Sequence, residues 1–131
     1  TISAISSDHA PHTVTDKERT FAHAPFGVIG LETAFAAAHD ALVVHGPLSF
    51  ERLIELMSTE PARILGRTPV TLSTGSVADL VILDPGASWT VDADSLRSRG
   101  RNCPWIGRTL SGRVVETLLG GRVTYSTNAG A

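Results

Sequence analysis

The spacing of apolar residues changes once along this chain, and that change limits its fold more than any other feature. In residues 1–68, a short apolar segment is followed by apolar residues that recur at the 3.6-residue period of helices. In residues 69–131, short apolar runs alternate with turn-forming residues, which is typical of β-strands. The sequence therefore predicts an α/β chain in two parts, divided near residue 68.

Three helices are predicted in the first part. The first spans residues 31–44, where apolar side chains share one face, and ends before Gly46. Ser49 is expected to cap the second helix, because a serine hydroxyl can accept a hydrogen bond from a free N–H of the first turn. Pro61 is placed in the first turn of the third helix, and Gly66 is expected to end it.

The predicted strands are short, and most lie in the second part. They are residues 1–7, 78–83, 89–91, 114–119 and 122–125. The segment DPG at residues 84–86 is interpreted as a turn between two strands. The Gly-Gly pair at residues 120–121 predicts a two-residue hairpin turn that joins the last two strands.

Charge and composition exclude several classes of function. The chain carries 11 Lys and Arg against 13 Asp and Glu, a formal net charge of −2, and has no basic stripe that could bind nucleic acid. No apolar run approaches the roughly 20 residues that a membrane helix needs. Cys103 is the only cysteine, so no internal disulfide is expected. These features favour a cytoplasmic protein with no nucleic-acid or membrane partner.

The residues most suited to chemistry are the segment DHAPH at residues 8–12, directly after the first predicted strand. Asp8 could serve as a metal ligand or a general base, and His12 as a metal ligand, a proton carrier or a donor to an anionic substrate. Pro11 stiffens the segment, and His9 is interpreted as structural because it would point away from Asp8 on a strand. From these residues alone, a solvated turn with incidental histidines stays open.

The segment at residues 8–12 is one of several longer motifs along the chain. They are DHAPH at 8–12, APFGVIGLETA at 24–34, STEPARILG at 58–66, GSVADLV at 75–81, NCPWIG at 102–107 and GRV at 112–114 and 121–123. Together they resemble the motifs near the C-terminus of bacterial-type dihydroorotases. The GSVADLV pattern is common to many amidohydrolases. The first two motifs together are much more specific.

The resemblance implies a fold and a site. In that family, a metal-binding α/β (TIM) barrel is joined to a small β-sandwich, so residues 1–68 would end the barrel and residues 69–131 would form part of the sandwich. Asp8 would be both a metal ligand and the group that moves a proton, and His12 and the backbone of Phe26 and Gly27 would bind the substrate.

The resemblance also implies a reaction and a cofactor. The family interconverts dihydroorotate and N-carbamoyl-L-aspartate, a step of pyrimidine biosynthesis, with one or two zinc ions. Zinc suits this task because a cyclic amide is a poor electrophile, and a metal both polarises its carbonyl and lowers the pKa of water to about 7.

The remaining metal ligands of that family lie upstream of the matched motifs. A TIM barrel typically needs about 250 residues, and the chain begins at Thr1 without an initiator Met. We therefore expect a share of a longer enzyme that is inactive alone. Strands 78–83 and 114–119 are then expected to lack partners.

Two alternatives to a dihydroorotase stay open. One is a related cyclic amidohydrolase, such as a hydantoinase or an allantoinase. The other is a non-catalytic dihydroorotase homologue that binds aspartate transcarbamoylase. A homodimer or a complex with aspartate transcarbamoylase is the protein partnership that the resemblance implies.

The other motif residues are predicted to have structural roles. Glu32 and Thr33 are expected to cap and position the first helix, and Lys17 to be exposed or to pair with an acidic neighbour. Trp89 and Trp105 are expected to pack in the core or at an interface.

Overall fold

The computed structural model describes residues 2–127. Thr1, in the first predicted strand, and residues 128–131 lie outside the described residues. The elements, in chain order, are α1 (Val14–Lys17), α2 (Ala34–His39), a π-helical turn (Asp40–Val44), α3 (Phe50–Ile54), a second π-helical turn (Glu55–Thr59), α4 (Glu60–Ile64), β1 (Leu80–Thr90), β2 (Thr109–Leu119) and β3 (Arg122–Ser126).

The first predicted helix is present but begins three residues later than expected. Residues 31–33 form a turn in which the N–H groups of Thr33 and Ala34 both donate to the carbonyl of Gly30. Helix α2 then runs without a break into the first π-helical turn, and the His45 N–H donates to the Asp40 carbonyl at 3.0 Å. The predicted end before Gly46 is confirmed.

The second and third predicted helices form one continuous helical segment from α3 to α4. The capping role of Ser49 is confirmed, because its hydroxyl accepts a hydrogen bond from the Arg52 N–H at 3.2 Å. The predicted break before Pro61 is absent, since the second π-helical turn leads directly into α4. At its end, the Arg67 N–H donates to Ala62 and the Gly66 N–H to Arg63, which is the hydrogen-bond pattern of a Schellman motif.

The strand predicted at residues 1–7 is wrong for the described residues 2–7. A strand requires a second strand with which to exchange backbone hydrogen bonds. Here the Ile5 N–H donates instead to the carbonyl of Leu56, in a helical turn, at 2.9 Å. The first β-type pairing occurs further along, as a single parallel bridge between His9 and Val28.

The second part forms a three-stranded antiparallel sheet in the order β1-β2-β3. The expectation that strands 78–83 and 114–119 lack partners is wrong, because they pair with each other, with Leu80 opposite Leu118. The predicted hairpin at Gly120-Gly121 is confirmed. Both glycines have positive φ, 55° and 78°, which a tight turn of this kind requires.

The strands predicted separately at residues 78–83 and 89–91 form one strand, β1. Residues 78, 79 and 91 lie outside it. The DPG segment between the two predicted strands is a bulge and not a turn. The Asp84 carboxylate accepts hydrogen bonds from the N–H groups of Gly86 and Ala87, and the pairing register shifts between Asp84 and Ser88. A side chain that satisfies local backbone donors lets a strand continue past an irregularity.

The hydrophobic core joins both predicted parts of the chain. Its buried members are Ile29, Ala36, Val91, Leu96, Cys103 and Leu110. Trp89 and Trp105 pack against this cluster, as predicted. Behind it, the buried His39 stacks on Phe35 and its Nδ1 lies 3.1 Å from the Ser111 carbonyl, so α2 is tied to β2. Within residues 2–127, no helix is long and apolar enough to cross a membrane.

Candidate active site

Asp8 stands at the start of the loop that the sequence marks for chemistry. It is exposed, and within residues 2–127 it is the only residue other than glycine with a positive φ, 42°. Such a backbone conformation is unfavourable for a residue with a Cβ and tends to occur at functional sites. The His9–Val28 bridge and a hydrogen bond of 2.9 Å from the Ala10 N–H to the Val28 carbonyl then hold this loop parallel to residues 27–29.

His9 has the structural role that the sequence predicts. Its Nδ1 accepts hydrogen bonds from the backbone N–H groups of Gly30 at 3.2 Å and Leu31 at 3.4 Å. Because Nδ1 acts as an acceptor, its lone pair is committed to the backbone that leads into α2. His9 therefore anchors the loop.

His12 is held at both its ring and its backbone. Its Nε2 lies 2.8 Å from the Phe26 carbonyl oxygen, which can only accept, so Nε2 carries the proton. Its backbone N–H donates to the Asn102 Oδ1 at 3.1 Å. The other ring nitrogen, Nδ1, has no hydrogen-bond partner in the described part of the chain.

Gly27 forms a tight turn against the Asp8 loop. Its φ is 98°, and a Cβ placed on it would lie 2.5 Å from the Ala10 Cβ and 3.9 Å from the His12 Nε2. Only glycine allows this approach. The preceding Phe26 side chain is 89% exposed, and the Gly27 N–H has no acceptor among residues 2–127. The turn thus leaves the Gly27 N–H available as a donor to a bound molecule.

Lys17 is placed differently from its prediction. It is partly buried and donates from Nζ to the carbonyls of Pro25 at 2.9 Å and Gly27 at 3.1 Å, so it neither projects freely into solvent nor pairs with an acid. The tight turn directs two carbonyls toward the end of α1, and these take the ammonium group. The adjacent carboxylate, Asp16, pairs instead with Arg19 at 3.0 Å.

The electrostatics of Asp16 follow from its neighbours. The hydrogen bond from the Thr13 hydroxyl, at 2.6 Å, lowers the pKa of the Asp16 carboxyl below its usual value. The charges of Arg19 and His12 lower this pKa further. Thr13 also caps α1, because its hydroxyl oxygen accepts the Asp16 N–H at 3.1 Å. The helix that carries Lys17 is thereby stabilised.

Asn102 joins the two halves of the site, and sequence reasoning assigned it no role. Its Nδ2 donates to the carbonyls of Ala10 at 2.8 Å and Gly27 at 3.3 Å, while its Oδ1 accepts the His12 N–H. Its backbone carbonyl accepts the Ile29 N–H at 3.2 Å. The only sequence signal was its place in the NCPWIG motif, which lies 90 residues from His12.

Glu32 and Thr33 do not cap α2 through their side chains. The carboxylate of Glu32 accepts the backbone N–H groups of Arg97 at 2.8 Å and Ser98 at 3.0 Å, so it anchors the segment after β1. Thr33 occupies the N-cap position but makes no side-chain cap hydrogen bond and is buried. Both residues lie at the start of α2, as predicted, but neither caps the helix with a side-chain hydrogen bond.

The residues of this chain are suited to supply one ligand to a metal ion. The exposed carboxylate of Asp8 makes no hydrogen bond within residues 2–127 and offers the oxygen donors that zinc accepts. The lone pair of His9 is already in use. In the described part of the chain, no three His, Cys, Asp or Glu residues lie close enough together to hold a metal.

Comparison with known proteins defines the class. The amidohydrolase family profile matches residues 5–125, so the chain belongs to the amidohydrolase family.

Within that family, several curated proteins similar to this chain are dihydroorotases, which confirms the resemblance seen in the motifs. The chain is 46% identical over 125 residues to the dihydroorotase of Anaeromyxobacter dehalogenans, covering 95% of this chain and 29% of the relative. It is also 46% identical to that of Syntrophus aciditrophicus, with the same coverage. The chain thus spans less than a third of the length of these relatives.

Solved structures share the same fold. The L-hydantoinase of Arthrobacter aurescens matches with a TM-score of 0.85 and 38% identity over 95% of this chain and 29% of that one. The dihydropyrimidinase of Brevibacillus agri matches with a TM-score of 0.84 and 25% identity, over 95% and 28%. The α/β class of the prediction is confirmed by this fold and by the sheet.

Proposed function

We propose that this chain supplies one metal ligand, the proton-transfer group and part of the substrate site of a zinc-dependent dihydroorotase. The observation that carries the proposal is the alignment of residues 8–10 with residues 27–29, which brings together the Asp8 loop, the His12 imidazole and the free N–H of Gly27. The identity to dihydroorotases over nearly the whole chain supports the choice of substrate.

Asp8 would act as the general base and acid. In the forward direction, water adds to the ring carbonyl carbon of dihydroorotate, and Asp8 accepts the proton that the water loses. The C–N bond then breaks, and the same carboxylate returns the proton to the leaving nitrogen, which yields N-carbamoyl-L-aspartate. Bound zinc would lower the pKa of the water and polarise the carbonyl.

His12 and Gly27 would bind two different parts of the substrate. The Phe26–Gly27 peptide is trans, so its N–H points away from the carbonyl that His12 contacts. Dihydroorotate carries one carboxylate and two ring carbonyls. We assign the carboxylate to His12 and a ring carbonyl to the Gly27 N–H. Because Nε2 donates to Phe26, donation to the carboxylate falls to Nδ1 and requires the imidazolium form.

The rest of the enzyme would complete the fold around this chain. Residues 1–68 would form the end of a TIM barrel whose other strands are supplied from outside this chain. Residues 69–131 would form part of a β-sandwich. An open groove of about 780 Å³ along the sheet supports this, since it is lined by side chains that a second layer would cover, Val81, Trp89, Thr117 and Tyr125 among them.

The location and partners of this enzyme are also proposals. The buried free thiol of Cys103 suits a reducing compartment such as the cytoplasm. The proposed substrates are dihydroorotate and N-carbamoyl-L-aspartate, and the proposed protein partner is a second copy or aspartate transcarbamoylase. The chain alone is not expected to turn over substrate, because Asp8 is the only metal ligand that we assign to it.

Substrate assays on the complete enzyme test the proposal. The complete enzyme is a protein of the relatives' full length that contains this chain. We expect kcat/KM to be highest for dihydroorotate among dihydroorotate, hydantoin and allantoin. Asp8→Asn should abolish turnover and lower the bound zinc measured by mass spectrometry, whereas the exposed Asp94→Asn should change neither. Preference for hydantoin would instead support the hydantoinase alternative that the solved structures suggest.

A further inference from the structure

We propose that Asn102 and Lys17 are positioning residues that hold the Gly27 carbonyl from two sides and thereby orient the substrate-binding N–H of Gly27. This inference rests on the proposed function, because it concerns the same site. Neither residue touches the reacting atoms in this assignment. Both act through the backbone of the turn.

Both the donor and the acceptor of the Asn102 side-chain amide form hydrogen bonds within this site. Both hydrogen bonds of Nδ2 go to backbone carbonyls, that of Ala10 in the Asp8 loop and that of Gly27 in the turn, while Oδ1 receives the His12 N–H. A single amide therefore fixes the separation between the two loops that carry the substrate-binding groups. Only an amide does this, since the contacts need two donors and one acceptor on one short side chain.

Lys17 holds the same carbonyl from α1. Its ammonium group donates to the carbonyls of Gly27 and Pro25, which flank Phe26. An ammonium donor makes a charge-assisted hydrogen bond, which is stronger than a neutral one. The Gly27 carbonyl thus receives one neutral donor, from Asn102, and one charged donor.

These contacts matter because Gly27 has no side chain to restrain it. Its two flanking peptide groups could rotate about φ and ψ more freely than those of any other residue. The His12 ring holds the peptide before Gly27 through the Phe26 carbonyl, and Asn102 and Lys17 hold the peptide after it. With both peptides held, the direction of the Gly27 N–H is set before the substrate binds, which lowers the entropic cost of binding.

The test is a double-mutant cycle in the complete enzyme with Asn102→Ala, Lys17→Met and both. We expect each single variant to raise the KM for dihydroorotate by roughly tenfold, the effect of losing one to two hydrogen bonds, while kcat stays within about threefold. The double variant should raise KM by less than the product of the single effects, because both side chains act on one carbonyl.

Hydrogen exchange followed by mass spectrometry supplies a readout independent of turnover. Amides in residues 24–29 should exchange faster in each variant, with no change in β1–β3. His23→Ala is the matched control, since His23 lies in the same exposed loop and, within residues 2–127, its ring hydrogen-bonds only to Thr20. Should Asn102→Ala fail to fold, Asn102→Asp keeps the acceptor and the size, removes both donors, and is expected to raise KM at least as much.

The outcomes separate this inference from the proposed function. A complete enzyme that does not hydrolyse dihydroorotate overturns the proposed function, and exchange in residues 24–29 still decides whether Asn102 and Lys17 order the turn. Unchanged exchange there, a fall in kcat at constant KM, or fully multiplicative effects in the cycle would each overturn the inference. Lys17→Gln, which keeps a neutral donor, should show a smaller rise in KM than Lys17→Met.

Discussion

The Nε2 of His12 donates to the carbonyl of Phe26 at 2.8 Å, which links the two loops of the site 14 residues apart. The contact fixes the ring orientation and places a proton on Nε2. It also leaves Nδ1 as the ring nitrogen that can meet a substrate. In the proposed function, one side chain therefore has two tasks, to hold the turn and to bind the substrate.

Substitution of His12 removes both tasks and tests its proposed contact with the substrate. We expect His12→Ala in the complete enzyme to raise the KM for dihydroorotate by at least about tenfold, because a donor to a charged carboxylate contributes about 1.5–3 kcal/mol. Calorimetry of substrate-analogue binding should show the same loss with zinc content unchanged. An unaltered affinity would mean that the carboxylate binds elsewhere.

The Gly27 turn should not tolerate a side chain. Gly27→Ala forces both an unfavourable φ and a contact of 2.5 Å with the Ala10 Cβ, so we expect a loss of about 2 kcal/mol or more in the free energy of unfolding. Gly75→Ala is a matched control, because Gly75 has a φ of 91° and no atom lies within 4 Å of the position that its Cβ would take. Urea unfolding of the complete enzyme compares them. Equal losses would show that close packing at Gly27 is unimportant.

The positive φ of Asp8 should lower the stability of the fold, whereas its carboxylate is proposed to be needed for activity. At a φ of 42°, glycine is favoured over alanine, so Asp8→Gly should be more stable than Asp8→Ala by about 1 kcal/mol. Neither variant should turn over dihydroorotate. Thermal unfolding and an activity assay measure the two effects. A less stable glycine variant would show that the positive φ carries no strain.

The low pKa of Asp16 gives a test of the α1 cap. A carboxyl whose pKa is lowered in the folded state stabilises that state above its unfolded pKa, and this contribution is lost as the pH falls through the folded pKa. Thr13→Ala removes the first cause of the shift, so the pKa of Asp16 should rise toward its usual value in an NMR titration. Thr20→Ala, also exposed but outside α1, should leave the pKa of Asp16 where it is.

Local patterns in the sequence determined much of the fold. The helical spacing before Gly66, the hydroxyl of Ser49 and the Gly-Gly pair at residues 120–121 each act through neighbours a few residues away. Such interactions depend on chain geometry that the sequence states directly. The α/β class, the helical character of the first part and the hairpin were predictable for this reason, although the second and third predicted helices form one segment.

The wrong predictions concern hydrogen-bond partners that the residue type alone does not identify. Residues 2–7 have strand-like composition, yet strands exist only in pairs, and the Ile5 N–H meets a helical carbonyl instead. Lys17 was expected to be exposed or to pair with an acid, but it donates to the carbonyls of Pro25 and Gly27 in the tight turn. The Asp84 carboxylate turned an expected strand end into a bulge.

The site also contains residues that the sequence identified and one that only the tertiary structure identified. The sequence alone marked Asp8, His12 and Gly27, because their residue types suit the chemistry and their motifs are specific. Only the tertiary structure placed the Asn102 amide on these loops, since its hydrogen bonds cross 75 to 92 residues of chain. A hydrogen bond requires two groups within about 3 Å, and the core beneath the sheet, from Ile29 to Leu110, sets that distance.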